Sequence, residues 1–252
     1  MKTVTFIGNG KMALRVAQSL KADYKIEVVG RDMQKLSEFE KQLNVKVEKS
    51  LLDGFEIEGK SLLLCVKPAN VEEVSSMLKG EAQVVFSLLA RTSLKKLHTH
   101  FKTKSVVRAM PILSPSVQRS MTIITGDKAF QNEAEKLLGY IGTTRWLESE
   151  KELDIATELA EDGPTYLSLI AKSLTDSAIQ KGLKAKDATY IVRDFFGSFG
   201  ELIQDIHPDL LKDAILSPRG PISAGFGSLE DAYVRPDYLN AVEKAYTGKW
   251  NS

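Results

Sequence analysis

Cysteine is nearly missing from this chain: Cys65 stands alone among 252 residues. An internal disulfide is therefore excluded, and the usage fits a reducing compartment. Net charge is missing too. Lys and Arg number 34 against 33 Asp and Glu. The chain has no basic excess with which to hold a polyanion, so nucleic acid is not an expected partner. Nor is there a long apolar run. Met1 to Ile7 is closed by Gly8, too short for a signal-peptide core. No stretch approaches the roughly 18 apolar residues needed to span a bilayer, so the expected location is the cytoplasm, with no membrane partner. Histidine is scarce. His98 and His100 sit beside lysines without a cysteine or carboxylate partner, and His207 precedes Pro208 at what reads as a helix start. No metal site and no nucleophile–base pair is legible. Cys65 falls inside an apolar strand and reads as core rather than catalytic.

What is there is a globular composition, 43% hydrophobic and 27% charged, long enough for one large domain or two smaller ones. The first half alternates short apolar runs with helical patterns. Thr3–Ile7, Ile26–Val29, Leu62–Val66, Val84–Ser87, Val106–Arg108 and Thr122–Thr125 are continuous rather than alternating runs, as strands covered on both faces require. Between them Ala13, Val16, Ala17 and Leu20 mark one helix face; Leu36, Phe39 and Leu43 mark another, and Val71, Val74 and Leu78 a third. This repetition predicts an α/β unit, a doubly wound parallel sheet. Past the polar stretch Glu148–Glu152 strands cease. Tyr166, Leu169, Ile170 and Leu174 form one helical stripe, with Pro164 suited to its first turn. Ala188, Ile191, Val192, Phe195, Phe196, Phe199, Leu202 and Ile203 form a wider one. The expected division is residues 1–150 and 151–252. The second part is all-helical, with more apolar face than it can hide alone, so a dimer formed through it is expected.

Gly8-Asn9-Gly10-Lys11-Met12-Ala13 is a G-x-G-x-x-A turn placed after the first strand and opening the first helix. Gly8 suits the tight turn, Gly10 the approach of a pyrophosphate, and Ala13 close helix packing. This is the phosphate loop of a Rossmann-type dinucleotide site. The second strand ends Val28-Val29-Gly30-Arg31-Asp32. An NAD site puts a carboxylate at that tip; here Gly30 and then Arg31 stand there, and Arg31 suits the 2′-phosphate of NADP(H). A register shift of two would instead put Asp32 there as the ribose-binding acid, so NAD(H) stays open. Val66-Lys67-Pro68 and Arg108-Ala109-Met110-Pro111 follow later strands toward the same sheet edge, and each Pro is expected to end its strand. The expected cofactor-binding residues are thus Gly8, Asn9, Gly10, Lys11, Met12, Arg31, Val66, Lys67, Pro68, Met110 and Pro111.

Gly8–Ala13, Val66–Pro68 and Arg108–Pro111 resemble the pyrroline-5-carboxylate reductases. So do Asp154–Thr157 followed by Gly163–Tyr166, Lys181-Gly182-Leu183, and Pro208 through Ser217-Pro218 to Leu229-Glu230. The resemblance spans almost the whole chain in order. It implies an oxidoreductase that reduces the cyclic imine of pyrroline-5-carboxylate to proline, with hydride from NADPH or NADH, acting as a homodimer or larger homo-oligomer through its helical domain. It points to Ser217, Arg219 and Gly220 as substrate-loop candidates. The chain departs from the family there: Ile222 replaces a threonine that contacts substrate, Pro221 removes an N–H, and Arg219 replaces a glycine. Glu161–Thr165 departs from another substrate loop, and Ala90-Arg91 stands where the family has Ala-Gly. A reductase of another imine or keto acid, or a dinucleotide-binding protein without chemistry, are the other readings. For the former, Lys172 is the obvious catalytic candidate, and it reads as an exposed helix residue.

Overall fold

The computed structural model of the chain describes residues 1–112, 120–216 and 220–250. They fall into two compact units, Met1–Thr157 and Glu158–Ser252. The first is an α/β unit. Strands β1 (Lys2–Ile7), β2 (Tyr24–Gly30), β3 (Glu48–Leu51), β5 (Ser61–Leu64), β7 (Val84–Ser87), β8 (Val106–Ile112), β9 (Met121–Gly126) and β10 (Thr143–Trp146) form one sheet in the order β10-β9-β8-β7-β5-β1-β2-β3. Two-residue strands β4 (Phe55–Glu56) and β6 (Leu78–Lys79) pair separately. Helices α1 (Lys11–Leu20), α2 (Met33–Leu43), α3 (Val71–Ser76), α4 (Leu94–His100) and α5 (Gln131–Leu138) connect the strands.

The apolar runs lie where the pattern put them: Phe6, Ile7, Leu62, Leu63, Leu64 and Phe86 are all buried. On one face Val4, Phe6, Val28 and Leu63 meet Ala13, Val16, Leu36 and Phe39. On the other Ile7, Val29, Leu62 and Leu64 meet Val71, Val74 and Leu97. The expectation of a parallel sheet needs one correction. β8 and β9 are antiparallel, with Arg108 opposite Thr125 and Ile112 opposite Met121. Pro111 also does not end its strand, because β8 runs on to Ile112. Pairing with β7 stops at Arg108, so beyond it β8 has an edge without a ladder, where a residue lacking an N–H is tolerated.

The second unit is helical. Helix α6 (Glu150–Gln180) begins in the first unit and continues into the second, followed by α7 (Ala185–Asp205), α8 (Pro208–Ile215), α9 (Pro221–Asp231) and α10 (Val234–Trp250). The polar stretch before α6 is a capping box. Ser149 Oγ accepts from the Glu152 N–H, and the Glu152 carboxylate accepts from the N–H groups of Glu148 and Ser149. Pro164 lies inside this helix, not in a first turn, and Glu161–Thr165 is helical rather than a loop. Among the described residues no helix is long and apolar enough to cross a membrane.

Candidate functional site

The carboxyl ends of β1, β2 and β5 open into a cleft of about 500 Å³. Its floor is the turn after β1. The Gly8 N–H donates to the Val29 carbonyl at 2.9 Å, and Gly8 has φ +108°. A Cβ there would fall 2.8 Å from the Cys65 carbonyl oxygen, so this position requires glycine. Gly10, the N-cap of α1, has the opposite surroundings: beyond its own chain neighbours no atom of the described residues lies within 4 Å of where its Cβ would be. No side chain caps α1 at Gly10. The first N–H groups of a ten-residue helix therefore end above an open surface, the arrangement that receives an anion.

The rest of the wall comes from Arg31, Asp32 and Lys35 after β2, and from Cys65, Val66, Lys67 and Asn70 after β5. β2 extends through Gly30, so Arg31 is the first residue past its tip. Asp32 is committed locally: its Oδ1 accepts from the Gln34 N–H at 2.8 Å and the Lys35 N–H at 3.4 Å, capping α2. Arg31 Nη2 donates to Glu73 Oε2 at 2.7 Å, with both side chains about half exposed (47% and 49%). Cys65 follows β5 rather than lying within it, and its N–H donates to the Ile7 carbonyl. Burial pushes its thiol up to about 12, so it is no nucleophile near neutral pH.

The structure thus brings Gly8, Asn9, Gly10, Arg31, Val66 and Lys67 into one cleft. Lys11 is exposed on the first turn of α1, Met12 packs against the core, and Pro68 opens a short 3-10 turn at Pro68–Asn70. Met110 and Pro111 stand on β8, two strands beyond β5, and do not line the cleft. Sequence reading missed Lys35 and Asn70. The spacing of Lys35 on α2 held a signal, because the first turn of the helix after β2 faces the same edge as Arg31.

A second polar feature lies under α6. Arg108 is buried on β8, with Nη1 donating to Glu150 Oε1 at 2.7 Å and Nη2 to Asp154 Oδ1 at 2.9 Å. Glu150 Oε1 also accepts from the Leu94 N–H. Burial raises the Asp154 carboxyl above its ordinary range, outweighing the pull of Arg108. Arg108 therefore clamps the first turns of α6 to the sheet.

The comparisons with known proteins agree with this architecture. Residues 150–249 match the family model described as pyrroline-5-carboxylate reductase dimerisation. Residues 3–91 match one described as NADP oxidoreductase, coenzyme F420-dependent. A pyrroline-5-carboxylate reductase of Synechocystis is 31% identical over 193 residues, covering 73% of this chain and 72% of that protein. The chain belongs to the pyrroline-5-carboxylate reductase family. A Helicobacter pylori reductase is similar over nearly the full length of both chains, 26% identical over 97% of this one and 98% of its own. The solved structure of a Coxiella burnetii pyrroline-5-carboxylate reductase shares the fold, with a TM-score of 0.79, 24% identity, and 97% and 96% of the two chains covered.

Of the substrate-loop candidates, Ser217 and Arg219 lie outside the described residues. Gly220 is the N-cap of α9, with no side-chain cap, and Pro221 is its first residue. Ile222 is 56% exposed. Lys172 is exposed on α6 and pairs with Asp176 one turn on, at 2.6 Å. His207 accepts the Asp209 N–H through Nδ1 and caps α8, a structural task.

Proposed function

We propose that this protein reduces pyrroline-5-carboxylate to proline with NADPH held in the cleft above β1. The observation that carries the reading is the uncapped start of α1 over the open glycine turn, in a chain of this family. The N–H groups of that first turn would hold the pyrophosphate. Arg31 would receive the 2′-phosphate, since Gly30 leaves no carboxylate at the strand tip and Asp32 is spent on capping. That assignment favours NADP(H) over NAD(H). Val66 and Lys67 would flank the cofactor, and residues 1–150 would act as its domain. When bound, the nicotinamide supplies the hydride.

Residues 151–252 would bind substrate and join two copies of the chain. The start of α9 suits the substrate carboxylate. Gly220 itself offers no side-chain cap there, and Pro221 removes only the donor at the first helical position. Ser217 and Arg219 immediately precede it in sequence. A protonated imine is already electrophilic, so positioning and exclusion of water are the chain's main tasks. The test is spectrophotometric: NADPH oxidation with pyrroline-5-carboxylate, compared with other cyclic imines and with keto acids. Turnover of a keto acid alone would overturn the substrate assignment, and no oxidation alongside tight NADPH binding would leave a binding protein.

A further inference from the structure

The ion pair between Arg31 and Glu73 joins two walls of the cofactor cleft. Arg31 leaves the tip of β2, whereas Glu73 sits on α3, which follows β5 and the Cys65–Asn70 wall. The pair therefore ties the guanidinium at the β2 tip, the end of the cleft where this fold meets a bound ribose, to α3. Lys35 and Lys67 also line the cleft, and Asp32, the carboxylate among the described lining residues, is already held by two N–H groups of α2. Glu73 is the carboxylate that engages Arg31.

We propose that Glu73 is a specificity-determining positioning residue: it competes with the 2′-phosphate for Arg31 and so limits the preference for NADPH over NADH. This rests on the assignment of Arg31 as the phosphate reader. A pair between half-exposed side chains is weak, because water screens it. A phosphate monoester carries more charge and offers the planar guanidinium two oxygens. Exchange therefore runs toward the cofactor, but every NADPH bound costs the protein the Glu73 contact. NADH carries no 2′-phosphate and leaves the pair intact. The competition thus falls on one cofactor alone.

The experiment is a fluorescence titration of the full protein with NADPH and with NADH, across the wild type, Glu73→Gln, Arg31→Ala and the double variant. With the competitor gone, Glu73→Gln should tighten NADPH about threefold and leave NADH within about twofold. The gain should shrink as salt rises and vanish in the Arg31→Ala background. An unchanged NADPH affinity in Glu73→Gln overturns the proposal. So does a weaker one, which would make Glu73 an orienter of Arg31, and so does a gain that survives in the double variant, which would mean direct repulsion. If Arg31→Ala itself leaves NADPH unaffected, the phosphate-reader assignment fails instead, and that result is separately visible.

Discussion

The two units differ in where their apolar surface goes. In Met1–Thr157 the central strands are buried from both faces within the chain, and Phe6, Ile7, Leu64 and Phe86 are fully covered. In Glu158–Ser252 Ala188 is the one buried hydrophobic residue among those described, while Phe195, Leu169 and Leu239 are 52%, 63% and 68% exposed. Both halves carry strong apolar periodicity, yet only the first closes a core around its own. A sheet covered by its connecting helices is self-sufficient. A short run of helices with wide apolar faces is not, and a second copy of the chain is the partner that the matched dimerisation model supports.

The contrast predicts that the second unit breaks most easily at its exposed stripe. Phe195 and Phe199 stack on one face of α7, their ring centroids 6.3 Å apart. If this face is where two copies meet, converting both to Asp removes two aromatic side chains from it, at about 1.5–3 kcal/mol each. The expected result is loss of the dimer in sedimentation, with a large fall in melting temperature. An unchanged mass and melt would show that α7 contributes nothing to assembly. In the first unit the largest expected effect comes from Arg108→Met, which leaves Glu150 and Asp154 beside an apolar side chain. Breaking such a buried pair costs about 3 kcal/mol. Without the cation the Asp154 carboxyl should rise further, so the native state favours its protonated form. The deficit should therefore be largest at neutral pH and shrink as pH falls through that raised value, which denaturant melts across pH would show.

What the sequence made legible follows the same division. The covered strands announced themselves as continuous apolar runs. β3 (Glu-Lys-Ser-Leu) and β10 (Thr-Thr-Arg-Trp) did not, because they are the two edges of the sheet and carry polar residues. Periodicity also concealed that α6 is a single helix, since Pro164 reads locally as a start and only the structure shows it mid-helix. The glycine turn was legible because its chemistry is contained in six consecutive residues. Glu73 was not, as the fold brings it to Arg31 across 42 positions. Asp32 was ambiguous in sequence, and two hydrogen bonds to α2 give it a structural role.

Two smaller effects sharpen the comparison at the ligand level, one in each half. Arg31→Ala should weaken NADPH by about 1–3 kcal/mol and leave NADH little changed, as expected for loss of one charge-assisted contact. Equal losses for both cofactors in a titration would remove Arg31 from the phosphate. In the helical half, Arg219→Gly should raise the Michaelis constant for the imine acid about tenfold, roughly 1.4 kcal/mol, with NADPH affinity unchanged. Steady-state kinetics at saturating NADPH measures this, and an unchanged constant would show that the arginine does not hold the carboxylate.

The smallest expected effect lies in the loop after β7. Arg91 has φ +53°, in the left-handed region that favours glycine. For a residue with a Cβ this conformation costs about 1–2 kcal/mol, whereas glycine adopts it freely but loses more backbone entropy on folding, by about 0.5–1 kcal/mol. Arg91→Gly alone would also remove the side chain, so the informative comparison is with Arg91→Ala. Both variants lack the guanidinium, but only alanine keeps the strained backbone. The glycine variant should therefore be the more stable of the two by about 1 kcal/mol in denaturant melts. This unit closes its core within one chain, so such a difference should not depend on protein concentration. Equal stability of the two variants would mean that the loop relaxes when Arg91 is replaced, and that its side chain, not the tight turn, holds the backbone in the left-handed region.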